Sequence, residues 1–305
     1  MTSVAVLMST YNGEKYLKEQ IDSILEQEGV NVRLYVRDDG SSDRTCSILE
    51  DYSNKFENIS YYKGERNLGS CGSFFELMSK RYYEDYYALA DQDDIWDEDK
   101  LKIAVDKLEM NDNNAIALYY ANQRVVDSRG DFIRVSHPKP MVPGARYSFL
   151  ADVFVTGCTT LYNKRFADLI ACKHPSTFTM HDTWLYIVAS LFGELYYDFE
   201  PHMSYRIHGD NVAGTRKKRF GIESALREIK YLFDWKAQPR YKGACEIYRQ
   251  FSEDLTEEQK EKICEIIDYK KTIKGTLRLL LDSDFRSDSK YRNIRFRIKV
   301  LLRNI

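Results

Sequence analysis

The sequence predicts an α/β protein, with a mostly parallel central sheet and flanking helices over residues 1–215 and a helical region over residues 216–305. Three observations predict it. Short apolar runs alternate with segments of helical period through the first 110 residues, and polar, acid-rich turns follow the apolar runs at their carboxyl ends. Beyond Thr215-Arg-Lys-Lys-Arg219 the composition turns to long charged helices.

Residues 4–8 are a compact apolar run. A turn at Asn12-Gly13 follows, and then Tyr16, Leu17, Ile21, Ile24 and Leu25 recur at helical spacing. The unit repeats with a strand over 32–36, the turn Asp38-Asp-Gly-Ser-Ser-Asp43, and a helix over 45–52 that Asp43 is suited to cap. A third strand is expected over 59–62, a helix over 69–81, a fourth strand over 86–90 and a helix over 97–110. Residues 115–205 continue the same domain, with strands over 117–121, 154–162 and 195–199 and a helix over 182–192. In the helical region, residues 257–274 read as one helix. Ligands of a parallel sheet gather at the carboxyl ends of its strands, which is where residues 10–12, 38–40 and 91–94 fall.

With 305 residues, 43% hydrophobic and 13% aromatic, the chain can bury one large core or a core with a smaller appendage. Lys and Arg number 45 against 47 Asp and Glu, so the net charge of −2 argues against nucleic acid as the main partner. Cys46, Cys71, Cys158, Cys172, Cys245 and Cys264 are scattered without a Cys-x-x-Cys pair, which fits reduced thiols in a cytosol. The apolar run near Met1 lacks a basic leader and is too short for a signal peptide or a membrane span, so a cytoplasmic protein is expected. The last segment departs from the even charge balance. Residues 284–305 carry seven Lys or Arg against two Asp, interleaved with Ile294, Phe296, Ile298, Val300, Leu301, Leu302 and Ile305. Such a segment either lies on an anionic membrane surface or is a terminal helix packed on its own domain.

Asp91-Gln-Asp-Asp94 follows directly on an apolar strand. In an extended strand alternate side chains point the same way, so Asp91 and Asp93 would share one side, and carboxylate oxygens suit Mg²⁺ or Mn²⁺. A capping loop for the next helix is the plainer alternative, but capping needs one Asp and not three.

Together, Ser9-Thr-Tyr-Asn-Gly-Glu14, Asp38-Asp-Gly-Ser-Ser-Asp43, Arg66-Asn-Leu-Gly69, Asp91-Gln-Asp-Asp94, His181-Asp-Thr-Trp184 and Tyr205-Arg-Ile-His-Gly-Asp-Asn211 resemble the inverting family 2 glycosyltransferases of GT-A fold. The run Ala90-Asp-Gln-Asp-Asp-Ile-Trp96 and the last two motifs resemble the rhamnosyltransferase branch of bacterial polysaccharide biosynthesis. The resemblance covers roughly the first 215 residues.

The resemblance implies a nucleotide-sugar donor. Thr10, Tyr11, Glu14 and Asp39 would hold its base and ribose, with Asp38 orienting the loop, although Glu14 and Asp38 suit turn formation or helix capping equally. Asn67 and Gly69 precede a helix and would let the backbone approach the ligand. Asp93 would bind a divalent cation directly, Asp91 would serve ribose and metal, and His208 would be a third ligand; Arg206 would pair with a phosphate oxygen. Asp182 would be the base that takes the acceptor proton, with His181, in place of the first acid of the Glu-Asp pair common among relatives, contacting the acceptor, orienting Asp182 or tuning its pKa; capping of the next helix is the plainer alternative for both. Trp96 and Trp184 offer faces for an acceptor sugar, or are core, and Gly157 would give the donor sugar room.

The expected activity is therefore metal-dependent, inverting transfer of L-rhamnose from dTDP-L-rhamnose to a hydroxyl of a growing or lipid-linked glycan. The alternatives are a UDP-glucosyl or UDP-galactosyl transferase of the same mechanism and a non-catalytic nucleotide-sugar binding subunit. Nucleotidyl transfer would want a basic, Gly-rich phosphate loop after the first strand, and Thr10-Tyr-Asn-Gly-Glu14 is not one.

Overall fold

A computed structural model describes residues 1–110, 115–140, 146–148, 155–175, 180–209 and 239–305. The chain divides into two compact units. One comprises Met1–Met141, Val155–His174 and Met180–Thr215, and the other Val142–Phe154, Pro175–Thr179 and Arg216–Ile305.

The first unit is a nine-stranded sheet with helices on its faces. Strands β1 (Ser3–Thr10), β2 (Asn31–Asp38), β3 (Ile59–Lys63) and β4 (Tyr86–Ala90) are parallel, in the order β3-β2-β1-β4. Helices α1 (Leu17–Leu25), α2 (Thr45–Lys55) and α3 (Gly69–Ser79) connect them. β1 is covered on both faces, since Val4, Ala5, Val6, Leu7 and Met8 have no exposed surface. This is why the run is continuously apolar instead of alternating. Asp43 accepts from the Thr45 amide at 3.0 Å and its hydroxyl at 2.6 Å just ahead of α2, whose N-cap position is Arg44 and not the Asp43 expected from sequence.

Beyond β4 the sheet is mixed. β5 (Ile95–Trp96) and α4 (Lys100–Glu109) precede β6 (Ala117–Val126), β7 (Phe132–Val135), β8 (Leu161–Asn163) and α5 (Lys164–Ile170). Then come α6 (His181–Phe192) and β9 (Glu194–Arg206). β8 bridges β4 and β6 antiparallel to both, β9 runs parallel to β6, and β5 closes the edge antiparallel to β9. The strand expected over 154–162 begins only at Leu161, because Gly157–Thr159 form a 3₁₀ turn in which the Thr159 and Thr160 hydroxyls bond backbone carbonyls. Residue 154 lies outside the described residues. The strand expected over 195–199 runs on to Arg206, prolonged by its pairing with β6 and β5.

The second unit contains α7 (Pro239–Phe251), α8 (Glu257–Asp268), α9 (Ile273–Leu281) and α10 (Lys290–Leu301). The single helix expected over 257–274 is two. α8 opens with a Thr256/Gln259 capping box, and Thr272 caps α9 by accepting from the Gly275 amide at 2.9 Å, so the chain restarts where one helix was expected to continue. The unit also recruits chain from before residue 215. The Tyr147 amide donates to the Asp284 carbonyl at 2.9 Å, and Arg146 pairs with Glu258 at 2.8 Å. The basic run at 215–219 lies outside the described residues.

Candidate active site

Strand register brings the acidic turns together. Thr10 at the end of β1 pairs with Asp38 at the end of β2, and Met8 pairs with Ala90, so Asp91 leaves β4 beside the same edge. The Thr10 hydroxyl donates to Asp38 at 3.2 Å. The first loop hangs on its neighbours. Gln92 holds Tyr11 from both sides, accepting from its amide at 2.8 Å and donating to its carbonyl at 3.1 Å. Asn12 sits in the left-handed region at φ 48°, with its side chain accepting from the Ser42 amide at 2.8 Å. A Cβ on Gly13 would lie 2.3 Å from Gln92 Oε1, so the clasp needs glycine there. Tyr11 itself is 50% exposed.

Asp38 and Asp39 are both buried. Burial pushes the Asp38 carboxyl up, but hydrogen bonds from Ser41, Cys46 and the Gly40 amide outweigh it and hold the group below its usual range. Asp38 thus ties the end of the first strand to the second loop through Thr10 and Ser41. Asp39 receives the Leu68 and Gly69 amides, each at 2.8 Å, and the Arg37 guanidinium. It anchors the start of α3. Asn67 donates to the Asp39 carbonyl at 2.9 Å, and Gly69 adopts φ +69° with open space where a Cβ would stand. Glu14 accepts from the Arg44 amide at 2.9 Å and its guanidinium at 3.2 Å, so in this structure it ties the first loop to the second.

The acidic run differs from the extended geometry the sequence suggests. A turn at Gln92–Asp93 replaces the alternation of a strand, so Asp91 and Asp93 are not paired by pleat. Instead Asp91 and Asp94 converge with Cys158, their ligand atoms within 4.8 Å of one another. Asp93 meets His208, Nε2 to Oδ2 at 2.6 Å. β9 makes that contact by running to Arg206 beside β5. Burial, then the charges of Asp93 and Asp182, push the Asp91 carboxyl up to about 7. Burial also raises Asp94 well above its usual range, with Asp91 and Asp93 adding to it, and raises the Cys158 thiol, which faces both. Asp94 is fully buried, and among the described residues its Oδ2 has no hydrogen-bond partner. Asp94, Gln92 and Cys158 are site residues that sequence reasoning missed. The crowding of the acidic run was a signal for Asp94; nothing in sequence tied Cys158 to it.

Arg206 is 2% exposed and engaged by the protein. It donates to the Asp93 carbonyl at 3.0 Å, pairs with Glu19 at 2.5 Å and lies over the Tyr16 ring at 4.6 Å. It holds the acidic loop, and this replaces the phosphate contact expected of it. Asp182 stands in the first turn of α6, where the helix dipole favours its negative charge, and accepts from the Thr183 amide at 2.6 Å. Its charge is felt by Asp91 and by Cys71 on α3. His181 is buried on Phe74, with ring centroids 4.1 Å apart; burial lowers its pKa against the opposing pull of Asp182, which keeps it neutral near pH 7.

Three expectations change. Trp96 is 3% exposed beneath the Lys100 ammonium, and Trp184 is 0% exposed with its indole N–H on the Lys173 carbonyl at 3.0 Å. Both are core, and neither offers a face to a sugar. A Cβ on Gly157 would lie 2.5 Å from His181 Nε2, so the glycine gives room to His181 and not to a donor sugar.

A mixed sheet that is parallel at its centre, with flanking helices and acidic loops at its strand ends, is the α/β architecture of the GT-A class. Residues 5–170 match the model of glycosyl transferase family 2, and the chain belongs to that family. It is 30% identical over 233 residues to the dTDP-rhamnosyl transferase RfbG of Shigella flexneri, covering 70% of this chain and 78% of the relative. It is also 28% identical over 233 residues to an uncharacterized glycosyltransferase of Rickettsia typhi, covering 73% and 70%. In structure it resembles S. aureus TarS in complex with UDP, with a TM-score of 0.58, 18% identity, and coverage of 92% of this chain and 75% of that one. It likewise resembles the mannosyltransferase PcManGT of Pyrobaculum calidifontis in complex with GDP-Man and Mn²⁺, with a TM-score of 0.52, 13% identity, and coverage of 99% and 86%. Among the described residues no helix is long and apolar enough to cross a membrane.

Proposed function

We propose that the protein is a metal-dependent inverting glycosyltransferase that moves L-rhamnose from dTDP-L-rhamnose to a hydroxyl of a growing, lipid-linked cell-surface glycan. The observation that carries the reading is the meeting of Asp93 with His208, 115 residues apart in sequence, beside the crowded carboxylates Asp91 and Asp94. The rhamnosyl donor rests on the likeness to RfbG over most of both chains.

The residues fit a hard divalent cation. Asp91 is pushed toward neutrality by burial and by neighbouring carboxylates, which is the condition that a cation relieves, and carboxylate and imidazole donors suit Mn²⁺ or Mg²⁺. Asp93 and His208 would ligate it, supported by Asp91. A cation so bound supplies fixed positive charge against the diphosphate as the anomeric bond breaks. The exposed Tyr11 ring stacks the base, Thr10 and Asp39 with Asn67 and Gly69 frame base and ribose, and the Arg206–Glu19 pair keeps the Asp93 loop in position. Asp182 takes the proton of the acceptor hydroxyl; the acceptor oxygen bonds to the anomeric carbon as the bond to the diphosphate oxygen breaks, and dTDP departs. A β-linked donor then gives an α-linked product. Neutral His181, held by Phe74 and Gly157, fixes the start of α6 beside the acceptor. The protein works on the cytoplasmic face of a membrane, where residues 284–305 make peripheral contact.

The test is release of nucleoside diphosphate from dTDP-rhamnose, UDP-glucose, UDP-galactose and UDP-N-acetylglucosamine, with Mn²⁺ or EDTA and a rhamnose-bearing acceptor. Turnover of dTDP-rhamnose that EDTA abolishes is expected. Preference for a UDP-sugar would keep the mechanism and replace the donor; turnover unchanged in EDTA would remove the metal.

A further inference from the structure

We propose that α9 and α10 together form one docking surface for an anionic lipid bilayer, with apolar stripes from both helices entering the headgroup boundary. This rests on the reading that residues 284–305 touch a membrane and extends it to a helix outside that segment.

The observation is that each helix has two apolar faces where a soluble helix needs one. On α10, Phe296 and Val300 are buried in the unit's core. Tyr291, Ile294, Ile298 and Leu301, spaced by three and four residues, form a second stripe that is exposed, Leu301 by 65%. On α9, Leu279 is buried, while Ile273, Leu277 and Leu281 recur every four residues on the open side, Ile273 76% and Leu281 74% exposed. The two helices pack on each other, so the stripes stand on neighbouring helices of one unit. Exposed apolar side chains scattered singly need no explanation, but two periodic stripes do.

Charge selects the occupant. Lys290 and Arg297 border the α10 stripe and Lys274 borders that of α9; all three are exposed and form no ion pair among the described residues. Lys270 is held below its usual range by burial and then by the nearby Arg303, so positive charge is crowded at the end of α10. An apolar stripe edged with basic residues fits acyl chains beneath anionic phosphates. A second copy of this surface would set like charges against each other, since a twofold contact presents the same patch from both sides. At 12 residues α10 is too short to span a bilayer and fits one lying in the interface plane.

The test is cosedimentation of the full chain with phosphatidylcholine vesicles with and without phosphatidylglycerol. Three double variants are compared: Leu277→Ser with Leu281→Ser, Ile294→Ser with Ile298→Ser, and Lys290→Ala with Arg297→Ala. The native chain should pellet only with the anionic vesicles and be released by salt. Each apolar double variant should weaken binding on the order of 10-fold or more, and the basic one by roughly 5-fold per residue removed. All three should melt as the native chain does and keep nucleotide binding, because the altered side chains are exposed. If only the α10 variants lose binding, the two-helix surface is wrong while the contact through 284–305 survives. If the native chain ignores anionic vesicles, both readings fall. A dimer dissolved by the stripe variants, or equal binding to neutral vesicles, also overturns the proposal.

Discussion

Asp182 carries the sharpest expectation at the level of single residues. Asp182→Asn should lower the transfer rate on the order of 10²-fold or more with nucleotide binding retained, since it removes the proposed base and leaves the proposed donor pocket intact. Unchanged turnover would move the base elsewhere. Gly157 and His181 form a second test. Gly157→Ala sets a methyl 2.5 Å from His181 Nε2 and should cost about 1–3 kcal/mol. In a His181→Ala background the same change should be close to neutral, and thermal melts of the four proteins would show whether the two effects couple. At this scale the motifs singled out residues without fixing their surroundings. Trp96 and Trp184 stand in motifs where an aromatic ring serves a sugar or the core equally well, and only their burial decides. Arg206 is expected on a phosphate and Glu14 on the base or ribose, yet both have protein partners in this structure.

Among the elements, β9 does most to build the site. Sequence marks its first residues as a strand, and pairing with β6 and β5 prolongs it to Arg206, just before His208. Arg206→Met would leave the Asp93 carbonyl and Glu19 without their shared donor. A stability loss of about 2 kcal/mol is expected, at the low end for a buried pair because Glu19 remains open to water. Denaturant melts at neutral pH would measure it, and a loss near zero would deny Arg206 its scaffold role. Helix α4 contains the opposite case. Lys100 is buried in its first turn, where the helix dipole also disfavours a cation, and burial pushes it down to about 8 from 10.5 although Cys158, Asp94 and Asp97 pull the other way. The folded state therefore binds this proton more weakly than the unfolded chain. Below pH 8 both states are charged and the fold bears a cost of about 3 kcal/mol; between pH 8 and 10.5 that cost is relieved and this group's contribution rises with pH. Lys100→Met should raise stability at pH 7 and lose its advantage toward pH 10.5; the same gain at both pH values would contradict the assignment.

For the whole molecule, ligand and fold should be linked. A nucleotide that binds only the folded state at 100 times its Kd stabilises by about 2.7 kcal/mol, and with dTDP the gain should be larger in Mn²⁺ than in EDTA. Equal melting in both would dissociate nucleotide binding from the metal site. The sequence by itself determined the α/β class, the parallel start of the sheet and the acidic turns at its strand ends, because hydrophobic period and turn residues are local properties. It also marked the basic, apolar carboxyl end. Tertiary structure alone decided that Asp91 meets Asp94 and Cys158 across a turn, that Asp93 meets His208, and that Gly157 makes room for a histidine. These are contacts between residues far apart in the chain or folded back on a turn, and no local pattern encodes the distance between them. The same holds for the helical unit, where only packing shows that α9 and α10 bury one apolar face each and leave another exposed.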